Sequence, residues 1–173
     1  MGLDIAPAML TAAKEEQPTA RLTRGNAASL PFADGAFDAV IAFMSLQDID
    51  DLAGTTGEIA RVLESGGRLC LAVVHPLNSA GRFVGHDADD PFTIEGSYLD
   101  PSFYADRIVR DGLTMTFVSA HRPITTYTEQ LAGCGFLIER LIETSVRDEA
   151  VTRAHQGRWQ RIPLFLHLRA IKG

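Results

Sequence analysis

The apolar positions of this chain fall into short blocks separated by turn-forming residues. Phe37 to Phe43 is apolar except at Asp38 and follows the polar turn Ala33-Asp34-Gly35. A short apolar run bounded by turn signals predicts a buried strand of a parallel sheet. Arg68 to Val74 repeats the pattern and stops before Pro76, giving a second strand. Between them, Leu52 to Leu63 carries Ile59, Val62 and Leu63 at helical packing spacing. Gly54 and Gly57 weaken that helix, and Gly66-Gly67 offers a left-handed end to it. Upstream, Met1 to Ile5 reads as a short strand. Pro7 suits the first turn of a helix over Ala8 to Glu16, whose Met9, Ala12 and Ala13 share a face. Pro18 stops it, and Ala20 to Arg24 is a third short strand.

The second half follows the same logic. Gly112 to Ser119 predicts a strand, Pro123 to Ala132 a helix ended by Gly133 and Gly135, and Phe136 to Glu143 another strand. In Ile162 to Lys172, Leu164, Leu166, Leu168 and Ala170 alternate with Phe165, His167 and Arg169. That period of two predicts a final strand lying antiparallel to its predecessor. Asn78 to Asp111 breaks the rhythm, with three glycines, the acidic run Asp87-Ala88-Asp89-Asp90 and five aromatics, Tyr104 among them. A connection this long inside a small domain predicts a lid or binding segment. The acidic run lacks the spacing of a calcium loop and reads as solvated loop, so no metal is expected. Ser145 to Arg161 is a polar loop containing Trp159.

Composition narrows the classes. The 173 residues suit one domain spanning 1–173. A net charge of −6 gives no basic footprint for nucleic acid or an anionic membrane. No apolar run approaches a membrane span, and no signal peptide is visible. Cys70 and Cys134 lie far apart in apolar segments, which predicts free thiols in a reducing cytoplasm.

Three stretches together carry a resemblance. Gly25-Asn26-Ala27-Ala28-Ser29-Leu30-Pro31-Phe32 is followed by Phe37-Asp38-Ala39-Val40; Gly2 to Leu10 precedes it and Glu58 to Leu69 follows. In this order and spacing they resemble the class I S-adenosylmethionine-dependent methyltransferases of the small-molecule branch. The resemblance covers residues 1 to 76. It implies an α/β, Rossmann-like sheet, mostly parallel with an antiparallel C-terminal strand. It also implies S-adenosylmethionine as cofactor and a small-molecule acceptor. Asp4 corresponds to the acidic residue that accepts both ribose hydroxyls, with Ile5 beside it; a carboxylate offers two acceptor oxygens to a diol. Asp4 also suits a cap for the helix that begins at Pro7, which is the weaker of the two readings. Asn26 stands where the family more often has Asp facing the adenine amine, and Ala27 would offer its backbone N–H to the ring; Asn26 is also a common turn residue. Gln47 would lie beside the methionine part of the cofactor. Asp48, with Asp50 and Asp51, could equally cap the next helix. His75, at the end of the predicted strand, and Tyr104, in the lid over 78–111, are the candidate bases; His75 equally fits a strand-end ring bonded to a loop carbonyl.

The family's Gly-rich turn would precede Asp4 by about 20 residues, and only three residues stand there. The expectation is therefore an N-terminally truncated member of the fold. It leaves the Phe37–Phe43 strand with an open apolar edge, which predicts either a homodimer through that edge or a marginal monomer that binds S-adenosylmethionine poorly. The rival reading is a catalytically inactive remnant of the fold with a binding or assembly role. A nicotinamide dehydrogenase is a more distant rival, since it needs the same Gly-rich turn.

Overall fold

In the computed structural model the described residues are 1–110 and 113–173, with side chains at 106, 108, 110, 113, 115, 154 and 155 left aside. The predicted lid therefore ends, at Asp111, and the strand predicted from Gly112 begins, outside the described residues.

The chain opens with strand β1 (Gly2–Asp4), helix α1 (Pro7–Glu16) and strand β2 (Leu22–Arg24), and β1 pairs parallel to β2. A second, four-stranded sheet forms the centre. Its members are β3 (Phe37–Phe43), β4 (Leu63–Val74), β9 (Phe136–Thr144) and β10 (Phe165–Lys172), in the order β3-β4-β10-β9. β3 is parallel to β4, whereas β10 is antiparallel to both β4 and β9. Three of the four strands thus share a direction and only the C-terminal one opposes them. Counted by ladders the sheet is mixed, with one parallel and two antiparallel pairings.

Helices α2 (Leu52–Val62) and α4 (Ile124–Gly133) cover one face. The alternation in β10 places Leu166, Leu168 and Ala170 at 2% exposure or less. They meet Leu69, Leu71 and Val73 of β4, Ile59 of α2, and Tyr127 and Leu131 of α4 in one core. Each leucine, isoleucine or valine side chain in it contributes about 1.5–3 kcal/mol on burial. Asp51 caps α2, its Oδ1 accepting from the Gly54 N–H at 2.8 Å. The helix ends at Val62, and the left-handed residue is Gly66 at φ 80°, four positions beyond it, where the β3–β4 register slips.

The other face departs from expectation. β3 is buried on one side only: Ala42 is in the core, while Ile41 is 77% and Phe43 71% exposed. The apolar sequence of β3 suits cover on both faces, and among the described residues only one face has it.

The segment predicted as a lid is structured. It holds the end of the short helix α3 (Pro76–Ser79), a hairpin of β5 (Gly81–Phe83) and β6 (Phe92–Ile94), and β7 (Ser102–Arg110), which pairs antiparallel with β8 (Leu113–His121) beyond the segment to form a long arm. The acidic run is a turn, with the Asp87 N–H donating to Asp90 Oδ2 at 2.7 Å. The polar loop before β10 docks on it: Trp159 meets Phe83 edge to face at 5.1 Å, and Arg161 donates to the carbonyls of Ala88 and Asp90. Cys70 and Cys134 are free and half-buried. Among the described residues no helix is long and apolar enough to cross a membrane, and no three His, Cys, Asp or Glu side chains are grouped to hold a metal.

Candidate functional site

The carboxyl ends of β1 and β2 gather the first group of residues. β1 pairs in register with β2, Asp4 opposite Arg24, and the Gly25 N–H donates to the Asp4 carbonyl at 3.1 Å. That extension of the ladder brings Asp4, Ile5, Asn26 and Ala27 to one edge. Asp4 Oδ1 accepts from the Ala6 N–H at 2.8 Å, just ahead of α1, whose own N-cap residue Ala6 supplies no side-chain cap. This bond fixes the carboxylate's direction through one of its two acceptor oxygens. Asn26 closes a tight turn: its Oδ1 accepts from the Ala28 N–H at 3.0 Å and its carbonyl from the Ser29 N–H at 3.0 Å. Its side-chain oxygen is thus already turned toward the chain, although an amide oxygen can accept twice.

Two residues of α2 hold the loop that follows. Glu58 Oε2 accepts from the Leu30 N–H at 2.7 Å. Arg61 donates to the carbonyls of Phe32 at 2.8 Å and Leu30 at 3.0 Å, and pairs with Asp34 and with Glu58. The Arg61 guanidinium, then the Leu30 N–H, hold the Glu58 carboxyl down at about 2. Arg61 is correspondingly pushed above its ordinary value, first by Glu58 and then by Asp34.

The second group surrounds the carboxyl ends of β3 and β4. The Met44 N–H continues the β3–β4 ladder to the Ala72 carbonyl at 2.8 Å, and Met44 itself has φ 50°. A non-glycine residue there costs on the order of 1–3 kcal/mol, which the surroundings must overcome. It turns the chain into a single 3-10 turn, Leu46–Asp48. Gln47 is 5% exposed, and its Oε1 has no hydrogen-bond partner. A buried unsatisfied amide oxygen costs roughly 1–3 kcal/mol, so it marks a place where a donor is wanted. Asp48 accepts from the Ser119 Oγ at 2.6 Å. Asp48 does not cap α2; Asp51 does, three residues before Gly54, where a side-chain oxygen can reach the N–H.

His75 is 3% exposed. Its Nδ1 accepts from the Leu77 N–H at 3.0 Å, capping α3, so the proton sits on Nε2 and is donated to Glu143 at 2.8 Å. Burial pushes its pKa down, opposed by Glu143, and the net effect favours the neutral ring. Both nitrogens are engaged, with a backbone N–H and a carboxylate rather than a loop carbonyl. Tyr104 of β7 stands opposite Ser119 in the β7–β8 ladder, on the side of the arm that reaches Asp48.

Sequence patterns did not mark two residues that build this region. Arg122, 8% exposed, donates through Nη1 to the Leu46 carbonyl at 3.0 Å and through Nη2 to the Ile49 carbonyl at 2.6 Å, clamping the turn that carries Gln47 and Asp48. His121, 1% exposed, donates through Nε2 to the Tyr98 carbonyl at 2.9 Å and meets the Ser79 Oγ through Nδ1 at 2.7 Å. The one available signal was their place, two polar residues between an apolar strand and Pro123.

Known proteins match both halves of this picture unequally. Residues 1–71 match the family described as a methyltransferase domain. A demethylmenaquinone methyltransferase of Tropheryma whipplei (strain Twist) is 39% identical over 88 residues, which is 48% of this chain and 34% of the relative. One from Thermus thermophilus is 38% identical over 80 residues, 44% of this chain and 36% of the relative. The chain thus spans about a third of the length of the curated relatives it matches. In fold, the crystal structure of an S-adenosylmethionine dependent methyltransferase from Mesorhizobium loti superposes with TM-score 0.78 at 23% identity, over 99% of this chain and 79% of that one. A glycopeptide N-methyltransferase solved with S-adenosylmethionine superposes at 0.59 and 13% identity, over 99% of this chain and 71% of its own.

Proposed function

We propose that the chain transfers a methyl group from S-adenosylmethionine to a small-molecule acceptor, a reading supported by the match of residues 1–71 to a methyltransferase domain and by a fold shared with a solved S-adenosylmethionine dependent methyltransferase. The observation that carries the reading is the edge formed by Asp4, Ile5, Asn26 and Ala27, locked by the bond from Gly25 to Asp4. Asp4 would receive the ribose hydroxyls on the carboxylate oxygen that does not cap Ala6. Asn26 and the Ala27 N–H would face the adenine. The buried, unpartnered Oε1 of Gln47 fits an ammonium or hydroxyl donor and would hold the methionine end. The cofactor supplies an already activated sulfonium methyl, so the protein's task is mainly alignment.

On the acceptor side, the segment 78–111 would cover the pocket and set substrate choice. Tyr104 is the better placed candidate base, beside the Ser119–Asp48 pair. His75 would take a proton only after releasing the Leu77 N–H, and it orders the start of α3 meanwhile. The matched relatives are named for demethylmenaquinone, which supports a small molecule as the acceptor. A second reading, a binding or assembly role as a homodimer, draws support from the edge of β3, which among the described residues pairs only with β4.

Calorimetry with S-adenosylhomocysteine tests the first reading through Asp4. Asp4→Ala removes two charge-assisted bonds at roughly 1.5–3 kcal/mol each, so affinity should fall about a hundredfold or more. Asp4→Asn keeps an acceptor for the Ala6 N–H and should lose an intermediate amount. Equal affinity in all three proteins would return Asp4 to helix capping alone.

A further inference from the structure

Gln47 and Asp48 are consecutive in a single 3-10 turn, so their side chains leave the backbone about a third of a turn apart. Gln47 goes inward, where its Oε1 is unpartnered. Asp48 goes outward and is exposed. Its direction is not left to solvent. Oδ1 accepts from the Ser119 hydroxyl at 2.6 Å, and Oδ2 accepts from the Gln47 Nε2 at 3.4 Å. Ser119 is buried and belongs to β8, so a fixed donor aims the carboxylate toward the arm. Tyr104 stands directly opposite Ser119 in the β7–β8 ladder and shares that face of the arm.

Both donors to Asp48 are neutral. No Arg, Lys or His among the described residues forms an ion pair with it. Arg122, three residues beyond Ser119, spends its guanidinium on the Leu46 and Ile49 carbonyls instead. A carboxylate has about four lone-pair sites, and only two are taken here. The turn at the carboxyl end of β3 therefore presents acceptor atoms in two directions: a buried amide oxygen inward, and an oriented carboxylate without a counter-charge on the side of the arm.

We propose that Asp48 orients the methyl acceptor, its carboxylate holding the group to be methylated through that group's own N–H or O–H, so that the chain takes an amine or a hydroxyl compound. This rests on the methyl-transfer reading and deepens it by naming the acceptor's chemical class. Gln47 and Asp48 divide the work, the uncharged amide serving the methionine end of the cofactor and the carboxylate serving the acceptor under the arm. Ser119 is the positioning residue for Asp48. A hydrogen bond to an ionised acceptor is short and strong, so it aligns the reacting atom as well as binding it. An analogue without the donor leaves the carboxylate unpaired beneath the arm, which is the basis of discrimination.

Two cofactor analogues test this on the 173-residue chain by titration calorimetry. S-Adenosylhomocysteine lacks the methyl group, whereas sinefungin carries an ammonium group at the methyl position, within reach of an acceptor-side carboxylate. Asp48→Asn keeps the side chain's size and an oxygen for the Ser119 hydroxyl but removes the charge. It should weaken sinefungin by about tenfold or more and change S-adenosylhomocysteine by less than about twofold. Ser119→Ala should weaken sinefungin by a smaller factor and again spare S-adenosylhomocysteine, with circular dichroism showing both variants folded. Equal losses for the two ligands overturn the proposal, since they place Asp48 at the methionine ammonium that both carry. Unchanged affinity for both overturns it as well and leaves the Ser119–Asp48 bond as a strap for the arm. If the unsubstituted chain binds neither ligand, the methyl-transfer reading itself falls and this inference falls with it, a result distinct from the other two.

Discussion

Arg122 offers the sharpest test of how this site is built. Its guanidinium lies in a residue only 8% exposed and donates to the Leu46 and Ile49 carbonyls at 3.0 and 2.6 Å. Arg122→Ala leaves both carbonyls without their donor beside the core. Hydrogen bonds to a charged group are worth roughly 1.5–3 kcal/mol each, so the loss should be about 3–6 kcal/mol. For a chain of this size 1 kcal/mol moves Tm by about 2–4 °C, which puts the shift on the order of 6–24 °C. Arg122→Lys separates charge from geometry: a single ammonium cannot reproduce the planar fork and should recover less than half. Urea denaturation and calorimetric melting measure both. A cost below about 1 kcal/mol for Arg122→Ala would mean that water or another donor satisfies the turn, and the clamp would be refuted.

Two further outcomes follow from α2. The Glu58 carboxyl titrates at about 2 instead of 4.5 when folded; its folded value is depressed, so its stabilising effect is complete above 4.5 and is lost as pH falls toward 2. Glu58→Gln should therefore lower the urea midpoint at neutral pH and make little difference near the bottom of that window; an equal gap at both ends would show that Arg61 does not drive the shift. A methyl group added at Gly57 meets nothing within 4 Å, whereas at Gly54 it collides with the Asp51 carboxylate. Gly57→Ala should raise stability by about 0.4–1 kcal/mol, Gly54→Ala should lower it by breaking the cap, and equal shifts in melting would contradict the capping geometry.

The elements with one covered face were legible in the sequence because their period is imposed by burial. β10 is the clearest: its alternation set Leu164, Leu166, Leu168 and Ala170 apart from Phe165, His167 and Arg169, and the last three of the first set are in the core, while Leu164 is half-buried. β3 shows the limit of the same signal. Its residues record what environment they would tolerate on each face, and cannot say whether a second layer is there. Asp48, Asp50 and Asp51 were indistinguishable as caps by residue type; only the register against Gly54 selects Asp51. Arg122 and His121 were invisible because their partners are distant, 76 positions for Leu46 and 42 for Ser79. No local pattern encodes such contacts. The family resemblance pointed to Asp4 and Asn26 together, yet Asn26's internal bond to Ala28 was not legible, since a turn and the proposed ligand role use the same oxygen.

The two groups of site residues lie on separate ladders, β1–β2 and β3–β4, and among the described residues no strand pairing joins them. What connects them is α2. Its first turn is set by Asp51, two residues beyond the Ile49 carbonyl that Arg122 clamps, so it inherits the position of Gln47 and Asp48. Its last two turns carry Glu58 and Arg61, which grip the backbone of Leu30 and Phe32 and so fix the loop leaving Asn26 and Ala27. The same helix buries Leu52, Ile59 and Val62 in the core. A single packed rod about 16 Å long, from eleven residues at about 1.5 Å each, therefore sets the spacing between the edge proposed for the cofactor's nucleoside and the turn proposed for its methionine end. Its stiffness comes from burial, and its attachments at both ends are charged bonds to backbone carbonyls and amides. That division explains why Glu58 and Arg61 belong to the construction of the proposed site as much as Asp4 does.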